Sequence, residues 1–416
     1  MQLDPSDGMA AMERSAVSRR GGAMASFKVM DVLRAANAIE AAGETVYHLE
    51  VGQPRTGAPP AAVAAAQKAL SVGSPMGYTN AFGTESLRLR IAKWYADTAG
   101  ARVDAGRVVI TTGSSAGFVL AFSALFDAGD HVAVPSVAYP CYRNVLQALG
   151  CVAVPLGGNA ADPCDGFALP DAAAVRACVE AGTPLKGLIL SSPSNPTGAV
   201  LDAVQLEAMA NECKRLGITF ISDEIYHHIS YDGAPRPPSA VSHAGAVVVN
   251  SFSKFFSMTG WRIGWVVLPE GDAPLAAAVE RLQQNMYINA PTISQVAAEA
   301  AFDDADGVLR ENVESYARNR EIVLKALHEL GFDRHCSVAC GAFYIYADLR
   351  SHGITDTPSW CARLLRDTGV ALTPGVDFEF DEAVGRSRVR FSYCGGNEDV
   401  AEAMRRLTRW VLDQRR

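Results

Sequence analysis

Lys254 stands in an unusual setting for a lysine. It follows an apolar run at 246–250, which predicts a buried strand, and it lies between small hydroxyl residues and two phenylalanines. A lysine after a strand is usually a solvated loop residue. Its amine becomes a nucleophile near neutral pH when desolvation or a neighbouring cation lowers its pKa, and Arg262 lies eight residues further along. We therefore interpret Lys254 as a candidate Schiff-base lysine.

Small residues follow another apolar run, at 107–112. Gly113, Ser114 and Ser115 come directly after it and lead into a predicted helix at 118–126. Small side chains allow the backbone to approach an anion closely, and a helix N-terminus offers free N–H groups with a partial positive charge. An ordinary strand-to-helix turn would have the same composition. Phosphate binding is therefore one of two interpretations of these residues.

Four more candidate residues follow predicted strands. Tyr139 precedes a proline, which holds it extended, so its ring could cover a planar ligand or could belong to the core. Asn195 stands between two prolines, in a loop stiffer than a simple turn requires. Asp223 ends a buried strand and needs a partner such as a protonated ring nitrogen. Tyr226 could donate to a phenolate-like oxygen.

These candidates share one position in the predicted fold. Ligands of open α/β sheets bind beyond the carboxyl ends of the strands, where all of these side chains fall. An anion cradle, a stacking ring, an amide, a carboxylate, a phenol and an amine describe a planar, phosphorylated aldehyde with a ring nitrogen. That ligand is pyridoxal 5′-phosphate (PLP), whose chemistry needs a lysine Schiff base and a carboxylate at the pyridinium.

The elements that must position these residues are short β-branched runs separated by helical stretches. They predict strands at 107–112, 131–134, 151–154, 187–192, 218–222, 247–250 and 265–268. This alternation predicts a mostly parallel α/β sheet that helices cover on both faces. The pattern then changes to one long charge-laced helix at 293–330 and a smaller α+β region.

The motifs resemble those of the class I/II aminotransferases, which are fold-type I PLP enzymes. The motifs are SNPTG at 194–198, DEIY at 223–226, SFSK with GWRIG within 251–264, and RFSY at 390–393. The resemblance covers residues 29–410. It implies a seven-stranded, mostly parallel sheet between helices in a large PLP-binding domain at 58–295. A smaller α+β domain would combine 27–57 with 296–416, and 1–26 would be a flexible tail.

The resemblance also implies a role for each candidate. Lys254 would hold PLP as a Schiff base and move a proton, while Asp223 would keep the pyridine nitrogen protonated. Asn195 and Tyr226 would bind the ring oxygen, and Tyr139 would stack on the ring. The implied phosphate ligands are Gly113, Ser114, Ser115, Ser251 and Arg262.

Two further implications concern the substrate and the subunits. Arg390, helped by Asn195 and Gly52, would clamp the substrate α-carboxylate; Arg388 competes for this role, but the RFSY motif favours Arg390. Tyr78 would reach the phosphate of a neighbouring subunit, which implies a homodimer with shared active sites. No metal site is implied.

The implied reaction is ping-pong transamination between an L-amino acid and a 2-oxo acid. A PLP-dependent C–S lyase uses the same machinery and stays open, as does a non-catalytic PLP-sensing domain. Gln284 and Ser115 stand where aspartate-preferring relatives place a cation, which tilts the substrate towards neutral, apolar or aromatic amino acids. Arg55 could supply a distal charge instead.

Composition limits the other classes of function. Among 416 residues, 37 Lys and Arg against 45 Asp and Glu give a net charge of −8, which argues against a nucleic-acid surface. No apolar run approaches the ~20 residues that span a bilayer. The nine cysteines are an odd number without metal-ligand spacing, so we expect free thiols in a reducing compartment, the cytoplasm.

Overall fold

The computed structural model describes residues 17–24, 26–158, 167–231 and 237–415. Most of the predicted tail, residues 1–16 and 25, lies outside the described residues. Within the rest of that segment, Arg19–Ala23 form a short helix, α1. No helix among the described residues is long and apolar enough to cross a membrane.

Twelve strands among the described residues form three sheets. The strands are β1 (Tyr47–His48), β2 (Val108–Thr111), β3 (His131–Pro135), β4 (Val152–Leu156), β5 (Leu185–Ser191), β6 (Thr219–Asp223), β7 (Val247–Ser251), β8 (Gly264–Val267), β9 (Tyr344–Asp348), β10 (Val370–Ala371), β11 (Thr373–Pro374) and β12 (Arg388–Ser392). The central sheet has seven strands in the order β2-β8-β7-β6-β5-β3-β4. Only β8 runs antiparallel to its neighbours, so the predicted seven-stranded, mostly parallel sheet is confirmed.

In the described part of the chain, thirteen further α-helices accompany the sheets. They are α2 (Lys28–Ala41), α3 (Pro60–Ser71), α4 (Glu85–Ala99), α5 (Gly113–Leu125), α6 (Cys141–Leu149), α7 (Ala172–Glu180), α8 (Ala203–Leu216), α9 (Ala273–Met286), α10 (Thr292–Ala301), α11 (Val308–Leu330), α12 (Thr357–Thr368), α13 (Glu382–Gly385) and α14 (Asn397–Gln414). β2, β7 and β8 are buried at every position because the sheet is covered on both faces. That burial explains why these strands appear in the sequence as continuous apolar runs.

Three sequence-based predictions differ from the structure. The predicted long helix at 293–330 is two helices, α10 and α11, separated by a 3₁₀ turn at Phe302–Asp304 and by Gly307, whose backbone (φ −110°, ψ −112°) is not helical. Helix α5 begins at Gly113, five residues before its predicted start, because its first turn is made of small residues that lack an apolar period. Helix α9 was not predicted.

The N-terminal segment pairs with the C-terminal part of the chain. β1 runs parallel to β10, with Tyr47 opposite Val370. The amide N–H of Val29, in the first turn of α2, donates to the carboxylate of Asp377 at 3.2 Å. These contacts bring the start of the described chain against the carboxyl ends of the central strands.

Candidate active site

A cavity of about 190 Å³ lies at the carboxyl ends of the central strands, where the sequence predicted a ligand. Most of the predicted site residues line it: Gly52, Ser114, Ser115, Tyr139, Asn195, Asp223, Tyr226, Lys254, Arg262 and Arg390. Gly113 lies beside Arg262 without lining the cavity. Ser251 and Tyr78 are also absent from the lining.

Lys254 follows β7 in a tight turn and its amine points into the cavity. The amine Nζ donates to the carbonyl oxygen of Gly52 at 2.5 Å and lies 6.0 Å from the centre of the Tyr226 ring. Burial lowers the pKa of the Lys254 amine to about 8. The positive charges of Arg390 and Arg262 contribute to this value, and Cys394 and Asp223 oppose it. The amine therefore carries a large neutral fraction near pH 8.

Asp223 ends β6 and is 2% exposed. Its Oδ1 accepts from the backbone N–H of Ile225 at 3.1 Å, and its Oδ2 accepts from the hydroxyl of Tyr142. Burial raises the pKa of the Asp223 carboxyl to about 6, although both hydrogen bonds favour the ionised form. The carboxylate is thus held in place by two donors at the wall of the cavity and is almost fully buried.

Tyr142 is a site residue that the sequence did not reveal. It lies on the buried face of α6, four residues before Leu146, and both are buried. That spacing is typical of a core tyrosine. Its hydrogen bond to Asp223 joins α6 to the end of β6 across 81 positions of the sequence, which no local pattern shows.

The predicted phosphate cradle is built around Arg262. Arg262 adopts the left-handed conformation (φ 49°), and its Nη1 donates to the carbonyl of Thr259 at 2.9 Å. The guanidinium packs directly on Gly113, where an added Cβ would lie 2.3 Å from Nη2, and the φ of Gly113 is +76°. Because Ser114 and Ser115 form the first turn of α5 beside this cation, the arrangement suits an anion.

Two serines before Lys254 have different surroundings. The hydroxyl of Ser251 donates to the carbonyl of Ile263 at 3.0 Å and shares a hydrogen bond with the hydroxyl of Ser253 at 2.9 Å. Ser253 lines the cavity. The sequence analysis chose Ser251 alone, and the alternation of the two hydroxyls in the run 251–253 was the signal that could have identified Ser253.

Arg390 lies on β12 and is 2% exposed. Its Nη1 donates to Oδ1 of Asn195 at 3.0 Å, and its Nη2 donates to the carbonyl of Glu50. The guanidinium lies 4.5 Å from the ring centre of Tyr344 and 4.8 Å from that of Phe378. Its Nε has no hydrogen-bond partner among the described residues. This leaves a buried cation with a free donor at the cavity.

Arg388, the arginine that competes with Arg390 for the substrate, lies outside the cavity lining. Arg388 pairs with the carboxylates of Glu379 at 2.7 Å and Asp348 at 3.4 Å, and it does not line the cavity. The two arginines are separated by one residue on β12 and therefore lie on the same face of that strand, at different positions along it. Of these two, Arg390 is the one that lines the cavity.

Tyr344 is a second residue that the sequence did not reveal. Its hydroxyl shares a hydrogen bond of 2.8 Å with the hydroxyl of Tyr226, and an added Cβ at Gly52 would lie 1.7 Å from it. Gly52 is therefore required for close packing at the cavity edge. On the opposite side, Tyr139 packs edge-on against Phe27, with ring centres 6.0 Å apart.

The fold and the cavity together define an α/β enzyme built around a partly buried lysine. The family model for aminotransferase class I and II matches residues 44–407. The chain is 44% identical to the valine–pyruvate aminotransferase of Mycobacterium tuberculosis, over 93% of this chain and 97% of that one. It is 33% identical to the (5-formylfuran-3-yl)methyl phosphate transaminase of Methanocaldococcus jannaschii, with the same coverages.

The solved structures that resemble this chain are also aminotransferases. An aminotransferase from Mycobacterium tuberculosis superimposes with a TM-score of 0.89 at 43% identity, covering 96% of this chain and all of that one. The aspartate aminotransferase of Thermus thermophilus with maleate gives a TM-score of 0.85 at 31% identity, covering 95% and 99%. The chain belongs to the class I and II aminotransferases.

The enzyme is therefore a fold-type I aminotransferase that uses PLP and acts on amino acids and 2-oxo acids. The resemblance noted in its motifs is confirmed. The residues present suit this cofactor. Gly113 leaves room for the guanidinium of Arg262 at the start of a helix, which provides an anion site. An amine with a lowered pKa and a buried carboxylate line the same cavity. Transamination, rather than C–S lysis or cofactor sensing, is the activity of the relatives.

Proposed function

We propose that the enzyme transfers the amino group of a neutral L-amino acid to a 2-oxo acid such as pyruvate. The observation that carries this proposal is the set of cations at the cavity. Lys254, Arg262 and Arg390 are the lysine and arginine residues among its described lining, and each is suited to another task. None is left for a distal carboxylate. The 44% identical relative is named for valine and pyruvate, which supports the same choice.

We propose that Lys254 and Asp223 are the catalytic pair. PLP, when bound, supplies an electron sink for the charge that develops at the substrate Cα. The Lys254 amine, with a pKa of about 8, would hold the cofactor covalently and, once the substrate amine had displaced it, would be free to accept the proton removed from Cα. The Asp223 carboxylate would hold the ring nitrogen in its protonated form.

The other predicted roles follow the positions of the side chains. Arg262, Gly113, Ser114, Ser115 and Ser251 would hold the phosphate, with Ser253 added because it lines the cavity. Asn195 and Tyr226 would bind the ring oxygen, and Tyr139 would stack on the ring. These nine residues and the catalytic pair would fix the cofactor.

The substrate α-carboxylate would bind at Arg390. Its Nε is buried without a partner, and a carboxylate is the acceptor that a guanidinium prefers. Asn195 already accepts from Nη1 and fixes the plane of the guanidinium. The backbone at Gly52 would complete this subsite.

We propose that two chains form a homodimer with shared active sites. Tyr78 is 84% exposed and lies outside the cavity of its own chain, so a role in cofactor binding requires a neighbouring subunit. Other large apolar side chains are exposed in the same region, among them Leu70, Val72, Met286 and Ile288. The loop that carries Tyr78 is tied to the start of α10 by a 2.7 Å hydrogen bond between Thr292 and Gly77.

A subunit-mixing experiment tests this arrangement. A dimer of two Lys254→Ala chains and a dimer of two Tyr78→Phe chains are each expected to have little or no activity. A mixed dimer would contain one site with an intact Lys254 from one chain and an intact Tyr78 from the other, so activity should reappear on mixing. Absence of recovery, with mixed dimers verified by mass spectrometry, would contradict shared sites.

The domain division and the location remain parts of the proposal. The seven-stranded sheet lies within 58–295, and the pairing of β1 with β10 supports grouping 27–57 with 296–416. The described cysteines form no disulfide, which agrees with a reducing compartment such as the cytoplasm. Limited proteolysis and cell fractionation would test these two statements.

The substrate is tested with the PLP-loaded enzyme and a panel of amino acids. The visible absorption of the loaded enzyme should fall on adding valine, leucine or alanine and return on adding pyruvate. Aspartate at the same concentration should give a much slower change. A faster response to aspartate than to every neutral amino acid would contradict the proposed substrate class.

A further inference from the structure

The first turn of α2 forms one wall of the active-site cavity. Phe27, Val29 and Met30 line the cavity together with Tyr139, against which the Phe27 ring packs. These three side chains are apolar, and they come from a segment more than two hundred residues before Lys254. In the proposed reaction, a wall of this kind would contact the side chain of a neutral amino acid.

The start of α2 lacks a cap of its own. The residue before the helix is Phe27, whose side chain makes no capping hydrogen bond. The first N–H groups of a helix need acceptors. The carboxylate of Asp377 supplies one, accepting from the amide of Val29 at 3.2 Å across 348 positions of sequence. Asp377 is 6% exposed, so solvent competes little with this bond.

Asp377 is itself held firmly. Arg143 donates from Nη2 to the Asp377 carbonyl at 2.8 Å and from Nη1 to the Glu379 carbonyl. The next residue, Phe378, accepts at its carbonyl from the amide of Ala138 at 3.0 Å and places its ring under Arg390. One short segment therefore supports both the helix wall and the arginine proposed to bind the α-carboxylate.

We propose that Asp377 is a positioning residue for substrate specificity, because it anchors the start of α2 and so fixes the apolar wall of Phe27, Val29 and Met30. This inference rests on the proposed function for the substrate class. It predicts that the anchor matters most for amino acids whose side chains reach the wall. Alanine, with a single methyl group, depends on the anchor least.

Asp377→Ala is the first variant, and Asp381→Ala is its matched control. Asp381 also caps a helix, through the amide of Ala383 at 2.9 Å, but it is exposed and does not line the cavity. We expect Asp377→Ala to lower kcat/KM for leucine relative to alanine by about tenfold, the scale of one lost apolar contact in a pocket. The control should leave this ratio unchanged, and Asp377→Asn, which keeps an acceptor oxygen, should fall between them.

A double mutant separates positioning from general damage. Phe27→Ala should lower the leucine-to-alanine ratio, and Asp377→Ala added to it should lower the ratio by no more than about twofold further, since both changes act through one wall. The proposal would be overturned if the double mutant lowered the leucine-to-alanine ratio by the product of the two single effects. It would also be overturned if Asp377→Ala lowered kcat/KM equally for leucine and alanine.

Hydrogen exchange gives a readout that does not depend on activity. Amides at 28–33 should exchange faster in Asp377→Ala than in the wild type, and the Asp381→Ala protein should match the wild type there. Unchanged exchange at 28–33 in Asp377→Ala would overturn the anchor. If the wild type turned over no neutral amino acid, the proposed function would fail, while the exchange result would still decide whether Asp377 holds α2.

Discussion

Tyr142→Phe tests the hydrogen bond that holds the buried carboxylate of the site. The substitution removes one oxygen and keeps the ring, so α6 keeps its packing. Asp223 then retains only the backbone N–H of Ile225 as a donor. Because Asp223 is 2% exposed, water has little access to replace the lost donor. Loss of the Tyr142 donor therefore destabilises the ionised form of Asp223 more than the neutral form.

The size of the effect follows from the pKa of Asp223. A hydrogen bond to a charged group contributes about 1.5–3 kcal/mol, which corresponds to a rise of about one to two units from the present value of about 6. At pH 6.5 the ionised fraction of Asp223 would then fall by about 3- to 25-fold, and at pH 8.5 it would change by less than about twofold. Since the cofactor ring nitrogen needs the ionised carboxylate, PLP affinity should follow the same pattern.

The assay is equilibrium dialysis of PLP against wild-type and variant protein at both pH values. At each pH, the PLP dissociation constant of the variant is divided by that of the wild type. The pH dependence of this ratio reports on Asp223, because the other titrating groups are common to both proteins. Tyr346→Phe is the matched control: Tyr346 is buried and donates to the carboxylate of Glu379 at 3.0 Å, and neither residue lines the cavity. A ratio for Tyr142→Phe that is below twofold at pH 6.5, or equal at both pH values, would refute the reasoning.

Three other predictions concern the cofactor and substrate ends of the cavity. Gly113→Ala places a Cβ 2.3 Å from Arg262 Nη2 and should weaken PLP binding by at least about tenfold in dialysis, while Gly100→Ala, at an exposed helix end, should not. In cofactor-free protein, reductive methylation of Lys254 should rise with pH about a midpoint near 8, where its neutral fraction is about 150 times that of an ordinary lysine; a midpoint above 10 would contradict the burial argument. Asn195→Ala frees Arg390 Nη1 and should raise KM for the amino acid about tenfold, and an unchanged KM would exclude a role in orienting Arg390.

The parts of the site that the sequence predicted share a physical cause. Strands buried on both faces leave continuous apolar runs, and in parallel sheets the residues that follow such runs gather at one edge. Asp223 is the last residue of β6 and Lys254 follows β7, and the C-terminal residues of both strands are buried. Their convergence was therefore predictable without tertiary information.

The parts that the sequence did not predict depend on packing between distant segments. Tyr142 meets Asp223 across 81 positions, and Asp377 meets Val29 across 348. The local sequence around Tyr142 is typical of a core tyrosine, and the sequence around Asp377 is typical of an exposed aspartate in a turn. The break between α10 and α11 is similar, because the apolar period continues through the interruption at Gly307.

The two ends of a bound amino acid would meet different kinds of support. Its α-carboxylate would face Arg390, whose plane is fixed by Asn195 and by two aromatic rings. Its side chain would face the start of α2, where the amide of Val29 is bonded to a carboxylate from the far end of the chain. Relatives named for valine, aspartate and a furan phosphate share this fold. A fixed carboxylate site beside an anchored helix would let substrate choice change at the wall while Arg390 and Lys254 stay in place.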